Sequence, residues 1–265
     1  MIKKLLKLGS LALVSFFIVS LVIAYYLNSQ RHPDEHVLDL DLKSRTLQSA
    51  HYRAPPLGHF KRKTSYQGET RSYYVYIPKN KKARMPVLLA LHGGGRSGAS
   101  MLDTWSKNAE AHGFVVIAPD SLTTNWSLNE PGSALFPKII EEGLQSENIS
   151  PGEMYLFGHS SGAKKAITLA LNHPDLFDGV VAHAATLPFE TSQDNKAVSI
   201  KNFKVALFLG SDDHIFSVPS ARQTLRWLAS LGVRADLYVL SGHSHWYYDD
   251  AFQINELAWE YLRSQ

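Results

Sequence analysis

The sequence predicts an α/β domain, a mostly parallel central sheet with helices on both faces. Three observations carry this. Short continuous apolar runs alternate with stretches of helical length through most of the chain, as strands buried on both faces do. Several of those runs end in glycine- or aspartate-bearing loops, where open parallel sheets place their ligand-binding turns. The chain has 265 residues, 45% of them hydrophobic, enough for one core of good size and little more.

Residues 1–27 are set aside as a targeting segment. Lys3, Lys4 and Lys7 precede an apolar stretch from Leu8 to Leu27, about 20 residues or ~30 Å of helix, enough to cross a bilayer. Lysines on that side keep the N-terminus in the cytoplasm. The exit, Ala24-Tyr25-Tyr26-Leu27-Asn28-Ser29, is a poor cleavage site. The expectation is a membrane anchor holding the domain outside the cytoplasm, periplasmic or extracellular; cleavage would make the protein secreted. Residues 28–57 read as a polar linker, although Leu38, Leu40 and Leu42 alternate as a short strand would. The catalytic-size domain then spans residues 58–265.

That domain opens with a predicted hairpin. His59 to Ser65 and Arg71 to Pro78 are joined at Tyr66-Gln67-Gly68-Glu69, and Tyr73, Val75 and Ile77 alternate against Tyr74 and Tyr76. Strands are expected at Val87–Leu91, Phe114–Pro119, Met154–Phe157, Gly179–Ala184, Val205–Gly210 and Ala235–Leu240. Helices are expected at Met101–His112, Ala134–Glu147, from Ala163 to Asn172, at Ser220–Leu231 and at Ala251–Arg263. No internal repeat is visible, nor an insertion long enough for a large cap.

Composition narrows the function. The net charge is +3, spread over short lysine and arginine clusters, too little and too dispersed for a nucleic-acid surface. There are no cysteines, which excludes a disulfide scaffold, a thiolate nucleophile and a cysteine-ligated metal.

The chemistry gathers at loops after strands. Gly158-His159-Ser160-Ser161-Gly162 joins an apolar strand to a helix, the context of a nucleophile elbow, in which Ser160 rides a bend too tight for side chains two residues away. His92-Gly93-Gly94-Gly95 follows another strand. An N–H of Gly94 or Gly95 and that of Ser161 are the candidate oxyanion donors. Asp212 and Asp213 follow the strand at 205–210, and His243 and His245 follow the strand at 235–240, in the chain order serine, acid, histidine. His-x-His is also metal spacing, but no third ligand accompanies it. His92 and His159 are expected to brace their loops by hydrogen bonding. Trp126, in the loop after Pro119-Asp120, is a candidate for the substrate pocket or for the core.

At these residues the chain resembles the α/β-hydrolase family, and within it the polyhydroxybutyrate depolymerase and feruloyl-esterase-like branch, with similarity to esterase-D-type enzymes. The matching pieces are Leu91-His92-Gly93-Gly94-Gly95, Ala118-Pro119-Asp120, Gly158-His159-Ser160-Ser161-Gly162, His173-Pro174-Asp175-Leu176-Phe177 and Gly210-Ser211-Asp212-Asp213. Ser244-His245-Trp246-Tyr247-Tyr248 is similar to the esterase-D-type segment that carries the base. The resemblance implies an α/β-hydrolase fold, a triad of Ser160, Asp213 and His245, and a serine hydrolase of carboxylic esters, small or polymeric, that needs no cofactor or metal. Two alternatives are a serine peptidase on the same scaffold and a non-catalytic, membrane-tethered binding domain. Oligomeric state is not legible.

Overall fold

The computed structural model describes residues 35–40, 42, 52–127, 132–187 and 204–264. The expected membrane segment, residues 1–27, lies outside these, as does much of the linker. Among the described residues no helix is long and apolar enough to cross a membrane.

Nine strands form one sheet: β1 (Glu35–Leu38), β2 (Lys61–Tyr66), β3 (Glu69–Tyr76), β4 (Arg84–Leu91), β5 (Val115–Pro119), β6 (Ser150–His159), β7 (Gly179–His183), β8 (Lys204–Gly210) and β9 (Arg234–Leu240). Their order across the sheet is β1-β9-β8-β7-β6-β4-β5-β3-β2. All neighbours are parallel except β2–β3 and β3–β5, so the hairpin forms one antiparallel edge. The other edge is β1, parallel to β9 from Glu35 opposite Leu237 to Leu38 opposite Leu240. The sheet therefore begins upstream of the composition boundary at residue 58. A four-residue edge strand with three exposed side chains leaves little hydrophobic signal in the sequence.

Among the described residues, five helices cover the sheet: α1 (Gly98–His112), α2 (Leu135–Gln145), α3 (Ser161–Asn172), α4 (Val218–Ser230) and α5 (Ala251–Arg263). Alternation along the strands feeds two cores. Val87, Leu89 and Leu91 of β4 pack with Phe136, Ile167 and Leu225 from α2, α3 and α4. Leu88 and Ala90 face the opposite way, toward Met101 and Trp105 of α1 and Ile254 and Trp259 of α5. Burying each such large side chain contributes about 1.5–3 kcal/mol, which explains why β4 to β8 read as unbroken apolar runs.

β4 pairs with β5 on one side and β6 on the other. The order of connection reverses there, and such a switch point opens a crevice at the carboxyl ends of the strands. The loop beginning at His92 and the turn at Ser160 both open from it.

Candidate active site

Ser160 forms the turn between β6 and α3 with φ 54° and ψ −116°. That conformation costs a side-chain-bearing residue about 1–3 kcal/mol, and the surroundings hold it. Its N–H donates to the His183 carbonyl at 2.9 Å, and its own carbonyl accepts the N–H of Ala163 at 3.0 Å. Glycine flanks it by steric necessity. A Cβ on Gly158 would overlap the Gly162 backbone, and one on Gly162 would overlap the carbonyls of Leu91 and His92. The first turn of α3 lies directly behind the hydroxyl and favours negative charge.

His245 lies in the loop after β9. Its Nε2 is 3.0 Å from Ser160 Oγ, and its Nδ1 is 2.9 Å from Asp213 Oδ2. Asp213, after β8, is held by its second oxygen, which accepts the N–H groups of Ile215 at 2.8 Å and Phe216 at 2.9 Å. Burial pushes the Asp213 pKa up, but the His245 hydrogen bond and charge, with those two donors, outweigh it and hold the carboxyl below its usual range. An ionised Asp213 keeps the His245 proton on Nδ1 and leaves Nε2 bare to accept the serine hydroxyl.

The neighbouring candidates face elsewhere. Asp212 donates its N–H to the His243 carbonyl at 3.0 Å and accepts the Ser211 hydroxyl at 2.9 Å. His243 is fully buried and meets His183, with 3.3 Å between their Nε2 atoms. The two histidines of His-x-His thus diverge, His245 to the serine and His243 to the interior.

Of the glycine-loop donors, Gly95 is spent: its N–H donates to the Thr124 carbonyl at 2.7 Å. The expectation that Gly95 serves the oxyanion is corrected on that ground. Among the described residues neither the Gly94 nor the Ser161 N–H has a backbone acceptor. Gly94 packs so closely on the Asn125 side chain that a Cβ would overlap it. His92 braces this loop, its Nδ1–H donating to the Gly93 carbonyl at 2.8 Å and its Nε2 accepting the Ser121 N–H at 3.0 Å. Those partners fix a neutral tautomer, and burial lowers its pKa accordingly.

Trp126 takes the core position that the sequence left open beside the pocket. It is buried against Phe136 in the core, and its indole N–H donates to the His92 carbonyl at 2.9 Å. It supports the glycine loop through that bond. Sequence reasoning missed His183, which closes β7 and is fully buried. The available signal was a histidine ending an otherwise apolar run of strand length. The site suits transfer of a hydroxyl proton to an imidazole as the oxygen attacks an electrophile.

Residues 86–203 match a family model described as alpha/beta hydrolase fold. The chain thus has the alpha/beta hydrolase fold. It is 29% identical over 136 residues to a protein described as a putative esterase, NocK, from Nocardia uniformis, the match spanning 46% of this chain and 40% of that one. It is 30% identical over 130 residues to an acetylxylan esterase from Coprinopsis cinerea, spanning 43% of this chain and 35% of that one. The chain therefore matches well under half the length of these curated relatives. Among solved structures it is similar to LpqC, a poly(3-hydroxybutyrate) depolymerase from Bordetella parapertussis, with a TM-score of 0.55 and 20% identity over 74% of this chain and 85% of that one.

Proposed function

We propose that the protein is a serine hydrolase of carboxylic esters. The observation that carries this reading is the hydrogen-bonded series Ser160–His245–Asp213, at 3.0 and 2.9 Å, beneath a glycine loop. Ser160 Oγ attacks the ester carbonyl while its proton passes to His245 Nε2. The tetrahedral oxyanion is met by the N–H groups of Gly94 and Ser161. The imidazolium, stabilised by Asp213, returns the proton to the departing alkoxide. Water then attacks the acyl-enzyme, again losing its proton to His245, and releases the acid and the free serine.

The relatives' names, an acetylxylan esterase and a polyhydroxybutyrate depolymerase, support small or polymeric esters as substrates. Lysines ahead of the apolar residues 8–27 support a membrane-anchored enzyme with its catalytic domain outside the cytoplasm. The test is hydrolysis of p-nitrophenyl acetate. Ser160→Ala lowers kcat by roughly 10⁴-fold or more, as removal of a triad nucleophile does; unchanged turnover overturns the reading.

A further inference from the structure

Behind the triad, three histidines stand in line. His159 Nδ1 is 3.0 Å from His183 Nδ1, and His183 Nε2 is 3.3 Å from His243 Nε2. His243 Nδ1 lies 3.7 Å from Oδ2 of the buried Asp250. His159 is 4% exposed and the other two are fully buried. None of the three is assigned a part in the ester chemistry above.

Their places in the chain are what matter. His159 immediately precedes Ser160. His183 closes β7, and its carbonyl holds the Ser160 N–H. His243 lies two residues before His245, and its carbonyl holds the Asp212 N–H beside Asp213. The line of rings thus runs between the segments that bear the nucleophile, the acid and the base. We propose that His183 and His243 are positioning residues, which with His159 form a one-way hydrogen-bonded ladder that keeps Ser160 and His245 in register. The proposal rests on the ester-hydrolase reading of the site.

The direction of the ladder follows from proton bookkeeping. Each ring-to-ring contact needs one N–H and one bare nitrogen, and a neutral imidazole supplies one of each. The Asp250 carboxylate favours the His243 proton on Nδ1, which leaves Nε2 bare. His183 must then donate from Nε2 and accept at Nδ1, and His159 must donate from Nδ1. This single direction requires all three rings to be uncharged, since a ring carrying both protons can donate both ways or reverse its neighbours. Burial drives them that way, holding His159 and His183 well below the ordinary histidine value and His243 down to about 4. For His243, burial outweighs the opposing charges of Asp250 and Asp213.

Two substitutions cut the ladder on opposite sides. An asparagine carboxamide stands in for Nδ1 and a glutamine carboxamide for Nε2, so His183→Asn spares the His159 contact and His183→Gln spares the His243 contact. Neither makes both. Burst titration with a p-nitrophenyl ester separates the number of working sites, the amplitude, from the rate at each. We expect both variants to lose about 10²-fold in kcat per titrated site with KM within twofold, the scale on which displaced catalytic groups lose rate. A merely space-filling role lowers amplitude and leaves the rate per site alone, and that result overturns the proposal. Nitrogen-15 NMR of histidine side chains in the wild-type protein supplies a measurement that needs no variant to fold. It should find neutral His159 and His243 protonated at Nδ1 and neutral His183 at Nε2; any other tautomer set at pH 7, or a charged ring, overturns the ladder. If the wild type gives no burst and Ser160→Ala changes nothing, the hydrolase reading has failed instead.

Discussion

Acidification from pH 7 to pH 5 should sharply weaken the fold, before its carboxylates begin to titrate. His243 has a folded pKa of about 4 against 6.5 when unperturbed. Below pH 6.5 the unfolded chain therefore binds a proton that the folded chain refuses, and unfolding becomes easier as pH falls. The loss reaches up to about 1.4 kcal/mol per pH unit for each such histidine, and amounts to ~2 kcal/mol for His243 at pH 5. His159 and His183, held well below the ordinary histidine value by burial and by neighbouring charge, act in the same direction.

The surroundings offer little relief. His159 is opposed by His245, His243, Arg96 and His92, and His183 by the other three rings of the cluster. Of these three rings, His243 is the one whose pKa neighbouring carboxylates raise, those of Asp250 and Asp213. His92 and His173, also lowered by burial, add in the same sense. Asp213, whose folded pKa is depressed, keeps its contribution above the unfolded value of 3.8 and loses it only as pH falls further. Urea unfolding at pH 7, 6 and 5 and constant ionic strength measures the effect. Near pH 5.5 the slope of stability against pH should correspond to uptake of at least about one proton on unfolding, and His243→Asn should flatten it by about one. A midpoint that does not move between pH 7 and 5 would refute the reasoning.

Asp213→Asn should lower kcat on a p-nitrophenyl ester by about 10⁴-fold, because an amide no longer stabilises the imidazolium or fixes its tautomer. Asp212→Asn, where the Asp212 side chain accepts the Ser211 hydroxyl, should stay within a fewfold of wild type in the same assay. Gly162→Ala drives a Cβ into the Leu91 and His92 carbonyls and should cost about 3 kcal/mol or more in urea unfolding; a neutral result would mean the elbow is looser than described.

Much of this architecture was legible in the residues because steric and apolar patterns are local. The glycines at 158 and 162 announce a bend by what they lack, and β4 to β8 announce a buried sheet by unbroken hydrophobicity. What the local pattern could not decide was direction. Asp212 and Asp213 are neighbours of the same type, as are His243 and His245 at one remove. Which of each pair turns to Ser160 depends on β8 and β9 lying side by side and on His183 drawing His243 inward. The choices between Gly94 and Gly95, and between pocket and core for Trp126, stayed open in the sequence for a related reason. The partners of Gly95 and Trp126, the Thr124 and His92 carbonyls, are backbone atoms of other loops, and no spacing in the sequence reveals them. The short strand β1 was equally obscure, since its main-chain pairing to β9 and its side-chain partners, Arg222 for Glu35 and Tyr238 for His36, lie about 200 residues further along the chain.

The central claim is that Ser160 carries a nucleophilic oxygen activated by His245. The most direct measurement is labelling with a fluorophosphonate probe followed by mapping of the adduct by mass spectrometry. One phosphonyl group should appear on Ser160, vanish in Ser160→Ala and form far more slowly in His245→Ala. An unlabelled wild-type protein, or an adduct that survives Ser160→Ala, would contradict the account.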